Sequence, residues 1–231
     1  VVFRMNHIIL DGAGMAVHLK HSIAYTQALR SGMPCQPAPD IFAQYVEDNR
    51  RRTDSAAVVA FWKQQSSSLE ALDFAIPPSQ KAQARRVEQS IRLTDQHWDR
   101  LQAFCTQHRI TPSLYFKALY GLLINAYCRG EDDFFVSEVV GGRVGQQQRA
   151  FGNYFQVMPV VYPKELFRRD AKVGDLFSHI RQYRKSLRAN ANVSLLAQGR
   201  LLPQGRLNFM FNYYNFIPSM TLFGDAIKLK A

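Results

Sequence analysis

The fold class predicted from the sequence is α/β, an α+β sandwich of helices and strands arranged in two lobes. Helical periodicity dominates residues 14–67, whereas the residues after 87 mix helical and strand-like segments. The intervening residues 76–86 (IPPSQKAQARR) are basic, contain two prolines and lack hydrophobic periodicity, as is typical of a linker. We therefore predict a first lobe with its linker over residues 1–86 and a second lobe over residues 87–231.

Three helices are predicted in the first lobe, after an apolar-rich segment over residues 1–5 that favours a strand. Their apolar residues recur at helical spacing, and the Ser-Gly-Met-Pro sequence of residues 31–34 ends the first of them. The predicted helices are Gly14–Arg30, Ile41–Arg52 and Asp54–Ser67. Trp62 lies on the apolar face of the third helix, which places it in the core.

The second lobe is predicted to mix strands with helices. Thr94 and Thr111 are expected helix N-caps, and Pro112 occupies the first helical position after Thr111, where its missing N–H is tolerated. The two helices are expected to end at Gln107 and at about Cys128. The predicted strands are Val87–Leu93, Phe134–Val140, Val157–Tyr162 and Leu207–Tyr214, with a glycine-rich turn at Gly141, Gly142 and Gly145.

The composition is that of a folded protein, with 47% hydrophobic and 12% aromatic residues in 231. No apolar run approaches the length that a membrane span needs. The three cysteines, Cys35, Cys105 and Cys128, are too widely spaced for a disulfide framework or a metal pattern, which predicts a reducing, cytoplasmic location. The chain has no initiator Met and begins inside the predicted first strand, so we expect a piece of a longer protein.

The net charge of +11 comes from the second part of the chain. Residues 1–75 contain seven Lys/Arg and seven Asp/Glu, whereas residues 76–231 contain 22 Lys/Arg and 11 Asp/Glu. Four basic residues form one face of a predicted helix, here called the basic stripe: Arg181, Arg184, Lys185 and Arg188. The opposite face is apolar (Leu176, Phe177, Ile180 and Leu187). Such a stripe is either a helix face that is simply exposed to solvent or a surface that attracts an acidic protein, an acidic membrane or nucleic acid. Nucleic acid is the weakest of these three candidate partners, because the sequence has no nucleic-acid-binding motif.

A His-x-x-x-Asp-Gly motif, formed by His7, Asp11 and Gly12, lies where the predicted first strand ends. A neutral imidazole at the mouth of a turn can take a proton from an attacking amine or hydroxyl. Asp11 can fix the loop by accepting hydrogen bonds, and Gly12 permits close approach to the backbone. The same residues also fit a buried core histidine followed by an ordinary Asp-Gly turn.

Four motifs in order resemble those of a known family. They are Asn6-His7-Ile8-Ile9-Leu10-Asp11-Gly12, Asp133–Ser137 with Gly142-Arg143, Gly152–Pro159, and Phe209–Tyr213. The chain resembles the condensation domains of nonribosomal peptide synthetases, within the chloramphenicol-acetyltransferase-like superfamily, over almost its whole length. Three positions depart from the family motifs: Asn6 replaces the first of two histidines, Ser137 a glycine and Gln156 an asparagine. The family's His-x-x-Pro-Phe segment has no counterpart in residues 190–198.

The resemblance implies a chloramphenicol-acetyltransferase-like pair of lobes with a tunnel between them, and a domain about twice this length, so that the N-terminal lobe is incomplete here. Two thioesters, each on the 4′-phosphopantetheine arm of a carrier protein, enter from opposite sides, and the acceptor amine attacks the donor thioester. The implied partners are the upstream and downstream carrier proteins and the adjacent synthetase domains. No directly bound cofactor or metal is implied, and the products of such synthetases are antibiotics or siderophores.

The resemblance also implies roles for individual residues. His7 is the catalytic residue, acting as a general base or orienting the amine and stabilising charge. Asp11 pairs with Arg143 and joins the lobes beneath the site, although a solvated turn aspartate is the alternative. Gly12 lets the pantetheine or a developing oxyanion approach the backbone N–H groups. Asn6 can make a hydrogen bond that the first histidine of the family motif would make. The candidate tunnel-lining residues, each also common in strands, are Gln156, Asn212 and Tyr213.

Three functions are compatible with these observations. The first is amide-bond formation between two carrier-bound groups. The second is an ester-forming, starter-acylating or epimerase-type activity on the same fold. The third is a non-catalytic domain that only docks carrier proteins or neighbouring domains, which Asn6 and the short chain favour. No nucleic-acid partner and no membrane span are expected.

Overall fold

A computed structural model describes residues 6–66, 87–127, 133–191 and 209–214, together with the short strands at 221–222 and 227–228. The predicted linker at residues 76–86, with the lobe boundary at its end, lies outside the described residues. So do the first strand at residues 1–5 and most of the segment 190–198.

Six α-helices form in the described part of the chain. They are α1 (Gly12–Ser31), α2 (Phe42–Thr53), α3 (Ala56–Ser66), α4 (Asp95–Gln107), α5 (Pro112–Tyr127) and α6 (Val173–Ala189). Thr94 and Thr111 cap α4 and α5 as predicted, since their hydroxyl oxygens accept backbone N–H groups at 3.3 and 3.2 Å. Helix α1 begins two residues earlier than predicted because Asp11 is its N-cap, and Gly32 ends it with a φ of 65°.

The main sheet has three strands in the order β2-β1-β3, which are Phe155–Tyr162, Phe134–Gly141 and Met210–Phe211. Strand β1 runs antiparallel to β2 and parallel to β3. Two further strands, β4 (Thr221–Leu222) and β5 (Ile227–Lys228), form a separate antiparallel pair. The described part of the strand predicted at Leu207–Tyr214 is shorter than expected, because residues 212–214 leave the ladder.

The prediction of a strand at Val87–Leu93 is wrong. These residues form no regular element, and Ile91 is 93% exposed. Their alternating apolar pattern finds no partner strand among the described residues, and an unpaired strand leaves its backbone groups to water. Alternation alone therefore did not decide the structure here.

The core lies between the main sheet and helices α3, α5 and α6. Trp62 is fully buried, and its indole N–H donates to the carbonyl of Asn190 at 3.2 Å. The predicted apolar face of α6 is buried as well, with Ile180 fully enclosed. A second, smaller core beside it consists of Tyr45, Ala150 and Tyr154, with Ile41 and Phe42 packed against them. Among the described helices, none combines the length and the apolar character that crossing a membrane requires.

Candidate active site

The motif residues 6–12 form a turn that leads directly into α1. Asn6 shapes this turn, because its Oδ1 accepts the N–H of Ile8 at 3.0 Å and its carbonyl accepts the N–H of Ile9 at 3.1 Å. His7 is exposed, so the alternative of a buried core histidine does not hold. The turn presents the imidazole at the surface while Asn6 is used to build the turn.

His7 is held from one side by the segment that enters β2. The side-chain amide of Asn153 donates to the carbonyl of His7 at 2.9 Å. The imidazole lies edge-on to the ring of Phe155, with the ring centroids 5.3 Å apart. One contact therefore fixes the backbone and the other the ring, while the residue stays exposed.

Asp11 is buried and accepts four hydrogen bonds. Its Oδ1 accepts the N–H of Gly14 at 2.6 Å and Nη2 of Arg143 at 2.8 Å. Its Oδ2 accepts the N–H of Tyr154 at 2.9 Å and Nε of Arg143 at 3.3 Å. These four hydrogen bonds use all of the acceptor positions of a carboxylate, so the role of Asp11 is to hold the surrounding segments in place.

Arg143 directs all five of its N–H groups to acceptors. Two go to Asp11, so the ion pair expected from the resemblance is present. The other acceptors are the backbone carbonyls of Gln147 (2.6 Å), Ala150 (2.7 Å) and Gly152 (2.8 Å). The guanidinium also lies over the ring of Tyr154, 4.4 Å from its centroid. One side chain thus organises the loop after β1 around the motif.

The glycines at the start of α1 differ in their surroundings. A Cβ on Gly12 would meet nothing within 4 Å among the described residues, and Gly12 is not among those with positive φ. A Cβ on Gly14 would lie 2.7 Å from the carbonyl oxygen of Gly152 and 2.9 Å from Nη2 of Arg143. Packing therefore requires a glycine at position 14, which the sequence analysis missed, but not at position 12.

A cavity of about 940 Å³ lies on the main sheet beside the N-terminus of α5 and the C-terminal half of α6. Two of the three candidate tunnel residues, Gln156 and Tyr213, line it, whereas Asn212 is exposed and is absent from the lining. A second cavity, of about 590 Å³, is lined by Gln156 and by Phe155, the neighbour of His7. His7 itself lies outside the lining of both. Ser137, the departure in the second motif, is fully buried in β1.

A buried ion pair between Lys117 of α5 and Glu138 of β1 was missed by the sequence analysis. The two residues are 3% and 5% exposed, and Nζ of Lys117 donates to Oε1 of Glu138. Burial lowers the pKa of the Lys117 ammonium below its usual value, and the carboxylate opposes that shift. Glu138 belongs to the lining of the larger cavity, so this pair lies at the wall of that cavity.

The basic stripe borders a smaller cleft of about 240 Å³, here called the basic cleft. Arg181 and Lys185 are exposed, and Arg184 is half-buried. Arg109, which the sequence analysis did not single out, joins them in the lining. The side chain of Arg188 lies outside the described part of the structure.

Comparison with known proteins identifies the family. The sequence profile of the condensation domain family matches residues 1–195. The chain belongs to the condensation domain family. This condensation domain is 24% identical over 190 residues to surfactin synthase subunit 2 of Bacillus subtilis, covering 79% of this chain and 5% of that protein. It is also 27% identical over 153 residues to tyrocidine synthase 3 of Brevibacillus parabrevis, covering 64% of this chain and 2% of that protein.

Solved structures show the same fold. The first condensation domain of the CDA synthetase matches with a TM-score of 0.70 and 19% identity, covering 95% of this chain and 48% of that one. A variant of the starter condensation domain of rhizomide synthetase matches with a TM-score of 0.66 and 19% identity, over 88% and 47%. The predicted chloramphenicol-acetyltransferase-like fold is thereby confirmed. The chain spans about half the length of these solved domains.

Proposed function

We propose that this condensation domain forms an amide bond between two acyl or aminoacyl groups carried on the 4′-phosphopantetheine arms of carrier proteins. The observation that carries the proposal is the placement of His7, which is exposed at a turn fixed from both sides. Asn153 holds its backbone, and the Asp11–Arg143 pair holds the end of the turn four residues later. Single-turnover condensation by the His7→Ala variant of the full-length parent tests it, with a loss of at least about 100-fold expected.

The proposed reaction is an aminolysis of a thioester. The acceptor amine attacks the carbonyl carbon of the donor, a C–N bond forms, and the tetrahedral intermediate collapses as the C–S bond breaks. As a general base, His7 takes the proton of the amine and returns it to the departing thiolate; as a positioning group, it orients the amine and stabilises charge. Both roles use the same exposed imidazole, and the balance of the reaction requires no redox partner.

Gly12 is proposed to admit the thioester to the backbone beside His7. Neither its conformation nor its packing against the described residues demands a glycine, which supports a role toward a bound substrate. Gly12 is also the first residue of α1, and the N-terminal end of a helix carries partial positive charge. A developing oxyanion would be stabilised there.

Four further residues are proposed to support the reaction, two by holding the site together and two by contacting the substrates. With the chain divided into lobes at residues 1–86 and 87–231, Asp11 and Arg143 join the lobes beneath the site. Gln156 and Tyr213 are proposed to contact the substrates. The proposed partners are the carrier proteins on either side and the adjacent synthetase domains, in the cytoplasm; Cys35 and Cys105, which are free thiols, are compatible with that location.

The second candidate function is a domain that docks carrier proteins without chemistry. The observation in its favour is that His7 lines neither of the two larger cavities. Under that function His7→Ala would leave the output of the parent synthetase unchanged, so the same variant separates the two candidates.

A further inference from the structure

The side chain of Glu138 has one carboxylate oxygen that the fold uses and one that it does not. Oε1 accepts Nζ of Lys117, whereas Oε2 is buried and has no hydrogen-bond partner among the described residues. Glu138 as a whole is only 5% exposed. A buried acceptor without a hydrogen bond destabilises the folded protein, so this oxygen is a candidate to accept a hydrogen bond from a ligand.

Glu138 lies on the face of the main sheet that lines the cavity of about 940 Å³. Two cross-strand pairs, Glu138 with Met158 and Val140 with Gln156, place their side chains on one face of β1 and β2. All four residues belong to the lining of this cavity. Lys117 reaches the carboxylate from α5 but is not part of the lining. Glu138 therefore presents the polar end of this ion pair to the cavity.

The charges around the cavity favour an uncharged donor as the partner of Oε2. Among the described lining residues, Glu138 is the only acid, whereas Arg52, Arg143 and Arg184 are cations. The charge of Glu138 is already balanced by Lys117, so a cationic ligand would bring a surplus positive charge beside the guanidinium groups. An O–H or N–H group without charge would satisfy the oxygen and leave the charge balance unchanged.

We propose that Glu138 is a specificity-determining residue, whose Oε2 accepts a hydrogen bond from an uncharged hydroxyl or amide group of the substrate in this cavity. The inference rests on the proposed function, since Gln156 and Tyr213 of the same lining are proposed to contact the substrates. It names the substrate class: an acyl or aminoacyl group with a polar, uncharged donor. An apolar analogue of the same size would leave Oε2 buried and unpaired, so the site would discriminate against it.

The test measures by titration calorimetry how the 231-residue chain binds matched pairs of probes. The probes are N-acetylcysteamine thioesters of amino acids that are similar in size and differ in one donor group: threonine and valine, tyrosine and phenylalanine, asparagine and leucine. We expect the member with the donor to bind about tenfold tighter or more in at least one pair, because hydrogen bonds to a charged group are the stronger ones. The cationic lysine probe should bind no tighter than the norleucine probe. This comparison needs no variant, so it does not depend on how a substitution affects folding.

A double variant assigns the preference to Glu138. Lys117→Met/Glu138→Met removes the acceptor without leaving an unpaired charge, so the protein should fold and the preference for the donor probe should disappear. The matched control Glu165→Gln/Arg168→Gln removes an exposed ion pair that lines neither of the two larger cavities, and it should keep the preference.

Several outcomes would overturn the proposal. Equal affinities within all three pairs, or no binding of any probe at millimolar concentration, would mean that Oε2 recognises no donor on the substrate. A preference that survives in the Lys117→Met/Glu138→Met variant would belong to another residue. Tighter binding of lysine than of norleucine, with no preference in the three pairs, would make the site one for a cation. Because these readouts involve no turnover, they are independent of the His7→Ala result, which tests the proposed chemistry.

Discussion

Asp11 and Arg143, which are 132 positions apart in the chain, meet through two atom pairs at 2.8 and 3.3 Å. Both side chains are about 8% exposed, and each uses its full hydrogen-bonding capacity in the structure. The same carboxylate caps α1, and the same guanidinium holds three carbonyls of the loop after β1. The pair therefore connects the start of the motif helix to the segment that contacts His7.

The first prediction concerns the energy of this pair. Asp11→Ala and Arg143→Ala should each lower the free energy of unfolding by about 3–5 kcal/mol, because each leaves a buried charge without its partner. The double variant should cost less than the sum of the two, which urea unfolding of all four proteins would measure. The exposed pair Glu47–Arg51 offers a control cycle with a coupling energy below about 1 kcal/mol. Additive effects at Asp11 and Arg143 would mean that the pair does not act as a unit.

The second prediction separates a structural glycine from a functional one. Gly14→Ala should destabilise the protein by about 1–3 kcal/mol, because its Cβ would press on the carbonyl of Gly152 and the guanidinium of Arg143. Gly12→Ala should leave the free energy of unfolding unchanged or raise it by up to about 1 kcal/mol, since the space there is open. Condensation by the full-length parent should nevertheless fall with Gly12→Ala. Normal turnover in that variant would remove the proposed role of Gly12 at the thioester.

The third prediction concerns the buried pair of Lys117 and Glu138. Lys117→Met or Glu138→Met alone should lower the free energy of unfolding by about 3–5 kcal/mol, since each strands a charge. The double variant Lys117→Met/Glu138→Met should be as stable as the wild type or more so, because apolar side chains then fill a site where two charges had to be desolvated. Chemical denaturation of the three variants would check this. A double variant with a lower free energy of unfolding than either single variant would contradict this prediction, because it would show that the two side chains stabilise the fold by more than their mutual charge interaction.

The helices could be predicted from the sequence because the residues that start and end them act on their immediate neighbours. Thr94 and Thr111 cap α4 and α5 through bonds three residues away. The strand expected at Val87–Leu93 failed because a strand depends on a distant partner, which a local alternating pattern does not specify. For the same reason, the strand expected at Leu207–Tyr214 is only Met210–Phe211 among the described residues.

The site could be predicted in part. Motif spacing pointed to His7 and Asp11, and the link from Asp11 to Arg143 came from the resemblance to the family. Site residues that belong to no sequence motif were missed, because only the packing of distant elements brings them close to their partners. Lys117 meets Glu138 when α5 lies on the sheet, and Arg109 enters the basic cleft through the turn after α4.

The central claim, that His7 takes part in amide-bond formation, is tested most directly by one round of condensation in the full-length parent protein. The measurement follows product formation from a loaded donor carrier and a loaded acceptor carrier, for the wild type, His7→Ala and the control His21→Ala. His21 lies on α1 against Phe151, away from the turn, so its replacement should leave the rate near that of the wild type. We predict a fall of about 100-fold or more for His7→Ala. A folded His7→Ala protein that condenses at the wild-type rate would contradict the account.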